Sequence, residues 1–207
     1  MRAPKIDRYA IGDEALLLIC EDLLSLEELE ADADSEDRRS IERITSPSRR
    51  KERLMWRWML RKEFSSMVKV EYASLGRPEI KDFPYKHISV SHCRDVVAVV
   101  ASQRACGVDV ERKERNFERI AERYTTLEER ALCQEAGMAR EEALAMMWCA
   151  KECMYKVAMR EGVDFRRDVL IEAIDPEQGR VVGRVVGGEP IEMSIIDAGD
   201  YLVVYSC

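Results

Sequence analysis

Gly107-Val108-Asp109-Val110-Glu111 and, about forty residues later, Trp148-Cys149-Ala150-Lys151-Glu152-Cys153-Met154-Tyr155-Lys156 carry most of the information in this 207-residue chain. The first segment alternates apolar and acidic residues, the pattern of a strand with Val108 and Val110 turned to the core and Asp109 and Glu111 together on the other face. In the second, Trp148, Glu152, Tyr155 and Lys156 follow i, i+4, i+7, i+8 spacing and share one face of a helix, with Lys151 beside it. If the two elements pack together, three carboxylates and two lysines converge, a cluster suited to a hard cation holding a phosphate ester. Magnesium fits such a set because it takes one or two carboxylates and completes its shell with water and phosphate oxygens. Plainer readings compete: two solvated acids on a half-exposed strand, and a Glu152–Lys156 surface ion pair worth about 0.3–0.5 kcal/mol. The apolar run Ala145-Met146-Met147-Trp148 and Cys153-Met154 argue that the helix is buried over much of its circumference, where charges need partners.

Outward from these segments, the chain reads as one α+β pattern used twice. Tyr9–Cys20 is expected to be a strand. Ser25-x-x-Glu28 is a capping box for a helix, residues Ser35–Ile44 a short surface helix, and Pro47 the first turn of a long helix reaching about Met67. Ser74-Leu75-Gly76-Arg77-Pro78 reads as a turn. His87–Ser91, Val96–Ala101 and Cys106–Val110 read as an antiparallel meander, with Ser89 and Ser91 on one face. Thr125-x-x-Glu128 and Thr126-x-x-Glu129 are alternative capping boxes for a helix ending near Gly137. A longer helix from Arg140 to Arg160, stopped by Gly162, precedes four strands at Val169–Ile174, Arg180–Val186, Ile191–Ile196 and Tyr201–Tyr205. The expectation is two similar lobes, 1–103 and 104–207, joined near residues 102–106, each with a long helix packed on a mainly antiparallel sheet.

Composition narrows the function. The formal net charge of −7 argues against bulk electrostatic binding of nucleic acid, so an anionic ligand needs a local basic cluster. Such a cluster is present in Arg38, Arg39, Arg43, Arg49, Arg50, Lys51, Arg53, Arg57, Arg61 and Lys62, some of which are expected to pair with nearby acids. Arg49-Arg50-Lys51 lies at a helix N-terminus, where like charge opposes the dipole and a phosphate would relieve it. No apolar run approaches the roughly 20 residues that span a bilayer, and nothing at Met1–Lys5 resembles a signal segment. Seven cysteines without a CxxC pair suggest neither a zinc ribbon nor a disulfide framework and suit a reducing cytoplasm. Cys149 and Cys153 share a helix face and are expected to be buried as small hydrophobes. Ser91 and His92 point to opposite strand faces, a poor arrangement for a nucleophile and its base.

The two opening motifs, in their order and spacing, together with Gly76-Arg77-Pro78, Ile88-Ser89-Val90-Ser91-His92 and the basic helix Arg50–Arg61, resemble the 4′-phosphopantetheinyl transferases of the two-lobed type that activates surfactin synthetase. The second motif matches the W-x-x-K-E-x-x-x-K pattern of that family. The resemblance covers residues 35–165 by motif. It implies a pseudo-twofold pair of α+β lobes with coenzyme A in the cleft between them, and transfer of 4′-phosphopantetheine from coenzyme A to a serine of an apo acyl or peptidyl carrier protein, with release of 3′,5′-ADP. It further implies that Asp109, Glu111 and Glu152 bind Mg2+, with Mn2+ as a substitute, and that Lys156 contacts phosphate. Glu152, directly or through a metal-bound water, would take the serine proton. Lys151 would either bind ligand or orient Glu152. Ser91, His92, Arg77, Arg53 and, more weakly, Arg39 and Arg49 would contact the coenzyme, His92 at its 3′-phosphate. The N-terminal lobe would thus supply nucleotide and phosphate contacts, and the C-terminal lobe the metal site and catalytic helix. Carrier docking near Phe117, Tyr124 or Met138, a monomer and a cytoplasmic, membrane-free location complete the expectation. The rivals are a non-catalytic coenzyme A-binding or carrier-docking protein on this scaffold and a magnesium-dependent nucleotide hydrolase.

Overall fold

The computed structural model describes residues 4–65, 68–72, 76–81 and 83–207, and the chain divides into two compact units, 1–103 and 104–207. In the first unit, the expected strand over Tyr9–Cys20 is a hairpin of β1 (Ile6–Ile11) and β2 (Ala15–Cys20). Gly12 turns the chain between them with φ +55°, a conformation glycine adopts without strain. Helix α1 (Leu26–Asp32) starts at the Ser25–Glu28 capping box. Helix α2 (Ser35–Ile41) is capped by Asp34, whose carboxylate accepts from two backbone N–H groups. Pro47 opens α3 (Pro47–Phe64), which ends before the expected Met67, itself outside the described residues. Strands β3 (Lys69–Tyr72), β4 (Pro78–Lys81), β5 (His87–Cys93) and β6 (Val96–Ser102) follow; Ser74 and Leu75 of the expected turn lie outside the described residues.

The first sheet has the order β1-β2-β6-β5-β4-β3. Strand β7 (Gly107–Arg112) does not continue this meander but enters a second sheet. After a 3-10 turn at Glu118–Ile120 come α4 (Ala121–Tyr124), α5 (Leu127–Glu135), α6 (Arg140–Ala158), β8 (Val169–Asp175), β9 (Arg180–Val185), β10 (Ile191–Asp197) and β11 (Tyr201–Ser206). The second sheet is ordered β7-β11-β10-β9-β8. In both units the strand that leads into the helices, β2 or β7, is followed after them by a four-stranded meander whose last strand returns beside it: β6 beside β2, β11 beside β7; the first unit adds β1 outside β2.

Of the two candidate capping boxes for α5, only Thr126–Glu129 forms; Thr125 instead donates its hydroxyl to the Ala121 carbonyl at the end of α4. Helix α6 stops at Met159, which adopts a left-handed conformation at φ 50°, before Gly162 is reached. Its Ala, Met and Cys positions pack into a core with Val169, Ile171, Val181, Val185, Leu202 and Val204. The first unit's core packs α3 through Leu54, Met55, Trp58 and Met59 against Leu16, Leu18, Ile88, Val97 and Val99. Among the described residues, no helix is long and apolar enough to cross a membrane.

Candidate active site

In the second unit, β7 and α6 touch at Gly107. A Cβ there would lie 2.4 Å from the Cys153 carbonyl oxygen and 2.9 Å from Val157 Cγ2. Only a bare Cα lets the helix approach this closely, and the approach decides which strand face meets α6. That face carries Gly107, Asp109 and Glu111. Val108 and Val110 are buried on the opposite face and belong to neither large apolar cluster. The acids therefore look toward the helix core side, and the valines away from it, the reverse of the expected orientation. The glycine and the helix, rather than hydrophobicity alone, set the side.

The geometry that results is compact. Lys156 Nζ lies 2.9 Å from Asp109 Oδ1 and donates to the Val108 carbonyl at 2.8 Å. Glu111 Oε1 accepts from Trp148 Nε1 at 3.1 Å and also from Arg115. The Arg115 guanidinium lies 5.0 Å over both the Trp148 and Phe117 rings, a placement that holds it over the site. Burial, and secondarily the Asp109 charge, push the Glu111 carboxyl up to about 7. The same two causes raise Glu152, opposed by Lys156 and Arg115. Burial disfavours the Lys156 ammonium, but the charge of Asp109 and the hydrogen bond to it outweigh burial and raise the lysine. Asp109 acts on all three of Glu111, Glu152 and Lys156, and Lys156 and Glu152 act on each other, so the four side chains form a cluster centred on Asp109. A half-buried carboxyl with raised proton affinity beside a held ammonium can exchange a proton and stabilise an anion.

The donor chemistry fits a hard cation: the acids offer only oxygen, two of them from one strand face, and the Asp109 charge adds to burial in raising the other two. Among the described residues, no group of three or more His, Cys, Asp or Glu side chains is disposed as a metal cage. The fit is that of an ion taking one or two carboxylates and completing its shell from solvent or phosphate.

Lys151 lies apart from the Asp109 cluster. It is fully buried, with Nζ 2.6 Å from Glu129 Oε1 and donating at 2.9 Å to the Phe165 carbonyl. Its place on the helix turns it toward Glu129 of α5 and the Phe165 carbonyl that precedes β8. Glu129 also accepts from the Ile171 N–H at 2.9 Å and the Thr126 N–H at 2.8 Å, so one buried carboxylate ties α5, α6 and β8 together. Sequence reading found Glu129 as a cap and missed this second role. It also missed Arg115, four residues beyond Glu111 and outside the strand. Phe117 and Tyr124 are buried in the core, not exposed for docking, and Met138 is partly buried against it.

In the first unit, a cavity of about 690 Å³ is lined by Arg43, Arg49, Arg53, Glu52, Tyr72 and His92, among others. His92 Nε2 lies 3.2 Å from Glu52 Oε2. The Arg53 guanidinium lies 4.8 Å over the Tyr72 ring and donates to its hydroxyl. Ser46 caps α3 at the same wall, and the first turn of α3 carries no acid, so the cavity adjoins a helix N-terminus flanked by arginines. Three expected contacts, Arg49, Arg53 and His92, share this cavity. Three do not line it. Ser91 is buried on the strand face opposite His92. Arg39 lines a separate depression with Glu30, Glu42 and Arg50. Arg77 lies close enough to His87 that its charge, after burial, holds that imidazole below the usual range. Arg57 and Arg61 of the basic helix are consumed internally by buried Asp37, Arg57 at 2.6 Å.

No curated protein matches the chain. Residues 105–200, nearly the whole second unit with β7, α6 and their charged cluster, match the family model of the 4′-phosphopantetheinyl transferase superfamily, which supports phosphopantetheinyl transfer in general.

Proposed function

We propose that the chain transfers the 4′-phosphopantetheine group of coenzyme A to a serine of an apo acyl or peptidyl carrier protein, releasing 3′,5′-ADP. The observation that carries this reading is the Asp109–Lys156 pair, 2.9 Å apart, with Glu111 and Glu152 in its field, inside the matched segment. Asp109, Glu111 and Glu152 are the candidate carboxylates for Mg2+, or Mn2+ in its place, of which one or two would ligate the ion directly. When bound, the ion neutralises charge on the pyrophosphate and on the leaving phosphate. Lys156 adds fixed positive charge at the leaving oxygens, pre-set by Asp109 and the Val108 carbonyl so that no reorganisation is needed during reaction. Glu152, half-buried and with raised proton affinity, receives the serine proton as the hydroxyl attacks phosphorus. Arg49, Arg53 and His92 are the candidates for the coenzyme's nucleotide phosphates. The repeated strand order and the basic cavity of the first unit support the two-lobed, surfactin-synthetase-activating type, which would act as a monomer in the cytoplasm.

The test is to incubate the protein with coenzyme A, magnesium and an apo carrier and to weigh the carrier. A gain of one phosphopantetheine supports transfer. Coenzyme cleavage with an unchanged carrier means a hydrolase, and binding without either means a non-catalytic scaffold. Glu152→Gln should bind coenzyme A and transfer nothing; normal turnover by that variant rules out Glu152 as the base.

A further inference from the structure

All seven cysteines are thiols, and three gather at one end of the second sheet. Strands β7 and β11 are antiparallel with Gly107 opposite Ser206, so one further step of the same register sets Cys106 opposite Cys207. Directly opposed residues on antiparallel strands have Cα atoms about 4.5 or 5.5 Å apart. Both values lie within the roughly 4.4–6.8 Å range of disulfides. Side chains alternate along a strand, and Gly107 faces α6. Cys106 and Cys207 therefore face together on the other side of the sheet. Cys153 of α6 lies close enough for its thiol to feel both, but its backbone packs on the Gly107 face of the strand, opposite the face that alternation gives Cys106.

We propose that Cys106 and Cys207 form an oxidation-dependent cross-strand disulfide that joins β7 and β11 next to their Gly107–Ser206 pair. Cys106 is buried, whereas Cys207 is only half-buried and is the thiol an oxidant can reach. Burial raises the Cys207 thiol and the neighbouring Arg104 charge works against that rise, so a thiolate there has a local counter-charge. With hydrogen peroxide as oxidant, Cys207 sulfur takes one oxygen to give a sulfenic acid and one water leaves. The Cys106 sulfur then attacks the Cys207 sulfur, a second water departs, and both thiols have been oxidised to one S–S bond. The bond would fasten β11 to β7 three residues from Asp109. It depends only on the register and not on the proposed activity.

The experiment treats the folded protein with stoichiometric hydrogen peroxide, alkylates the remaining thiols in denaturant, and maps peptides by mass under non-reducing conditions. The expected result is two fewer alkylated thiols than the seven present, a monomer lighter by two hydrogens, a Cys106–Cys207 cross-linked peptide, and a higher melting midpoint. Cys153→Ser should behave identically, and Cys207→Ser should lose no thiol pair. A link involving Cys153, a dimer joined through Cys207, terminal oxidation of Cys207 without a bridge, or seven surviving thiols would each overturn the proposal.

Discussion

Gly107→Ala tests how the second unit's site is assembled. The added Cβ would sit 2.4 Å from the Cys153 carbonyl oxygen, 2.9 Å from Val157 Cγ2 and 3.2 Å from the Cys153 carbonyl carbon. A carbon needs about 3.4 Å or more from such backbone atoms, so strand and helix must part by about 1 Å. The nearest obstacle is helical backbone, and no rotamer change relieves it. Overpacking of this kind costs about 1–3 kcal/mol, read as a lower urea midpoint at unchanged slope. The chemical consequence should exceed the stability loss. Lys156 and Glu152 ride on α6 while Asp109 and Glu111 ride on β7, and a displacement of about 1 Å between reacting groups can lower a rate by about 100-fold. Carrier modification followed by mass under saturating coenzyme A should show that loss at a temperature where circular dichroism reports the variant fully folded. A variant that melts with the parent, or that is destabilised yet transfers at the parental rate, refutes the argument that this glycine sets the helix position.

Lys151→Met leaves the buried Glu129 carboxylate without its ion partner and should cost about 3–5 kcal/mol; Lys151→Met combined with Glu129→Gln should regain part of that in the same denaturation assay. The Glu111 carboxyl stands at about 7 in the fold against 4.5 ordinarily, so between these values the folded chain keeps a proton that the unfolded chain has released. Stability should therefore fall as pH rises through that window, by on the order of 3 kcal/mol in metal-free protein, and Glu111→Gln should remove that dependence in urea titrations at pH 5 and pH 8. Arg53→Ala removes a charged donor from the first unit's cavity and should raise the coenzyme A KM by about 10- to 100-fold with little change in kcat; an unchanged KM would detach that cavity from coenzyme binding.

Periodicity and caps made most elements legible: Ser25–Glu28, Pro47 and the four closing strands need only local rules. The errors fall where a local pattern has two outcomes. The apolar run ending at Cys20 hid the hairpin because Gly12-Asp13-Glu14 is a short polar break beside an already polar strand. The paired Thr125 and Thr126 boxes were equivalent on paper, and the short α4 ahead of them, which takes Thr125 as its C-cap, decides between them. β7 read as the continuation of the meander because sequence shows strand character but not strand partners; its partner, β11, lies almost a hundred residues on. In the site, Asp109, Glu111 and Lys156 were legible because strand and helix spacings fix which residues share a face. Arg115 was not, since it follows the strand in irregular chain whose direction only the aromatic platform of Trp148 and Phe117 determines.

The two lysines of α6 show why a motif cannot assign roles by itself. Lys151 and Lys156 are five residues apart, which at 3.6 residues per turn places them about 140° apart around the helix. One is turned to α5 and β8, the other to β7. Burial acts against the ammonium in both cases, and the partners differ. Lys151 is held by a carboxylate that is itself committed to two backbone N–H groups, so removing it breaks a closed structural network. Lys156 is held by Asp109 and is half-buried rather than sealed, so under the proposed function a phosphate could take over part of its charge. Lys156, the lysine that stays accessible, is therefore the one the proposed chemistry can use, and the sealed Lys151, through Glu129, ties α6 to α5 and β8.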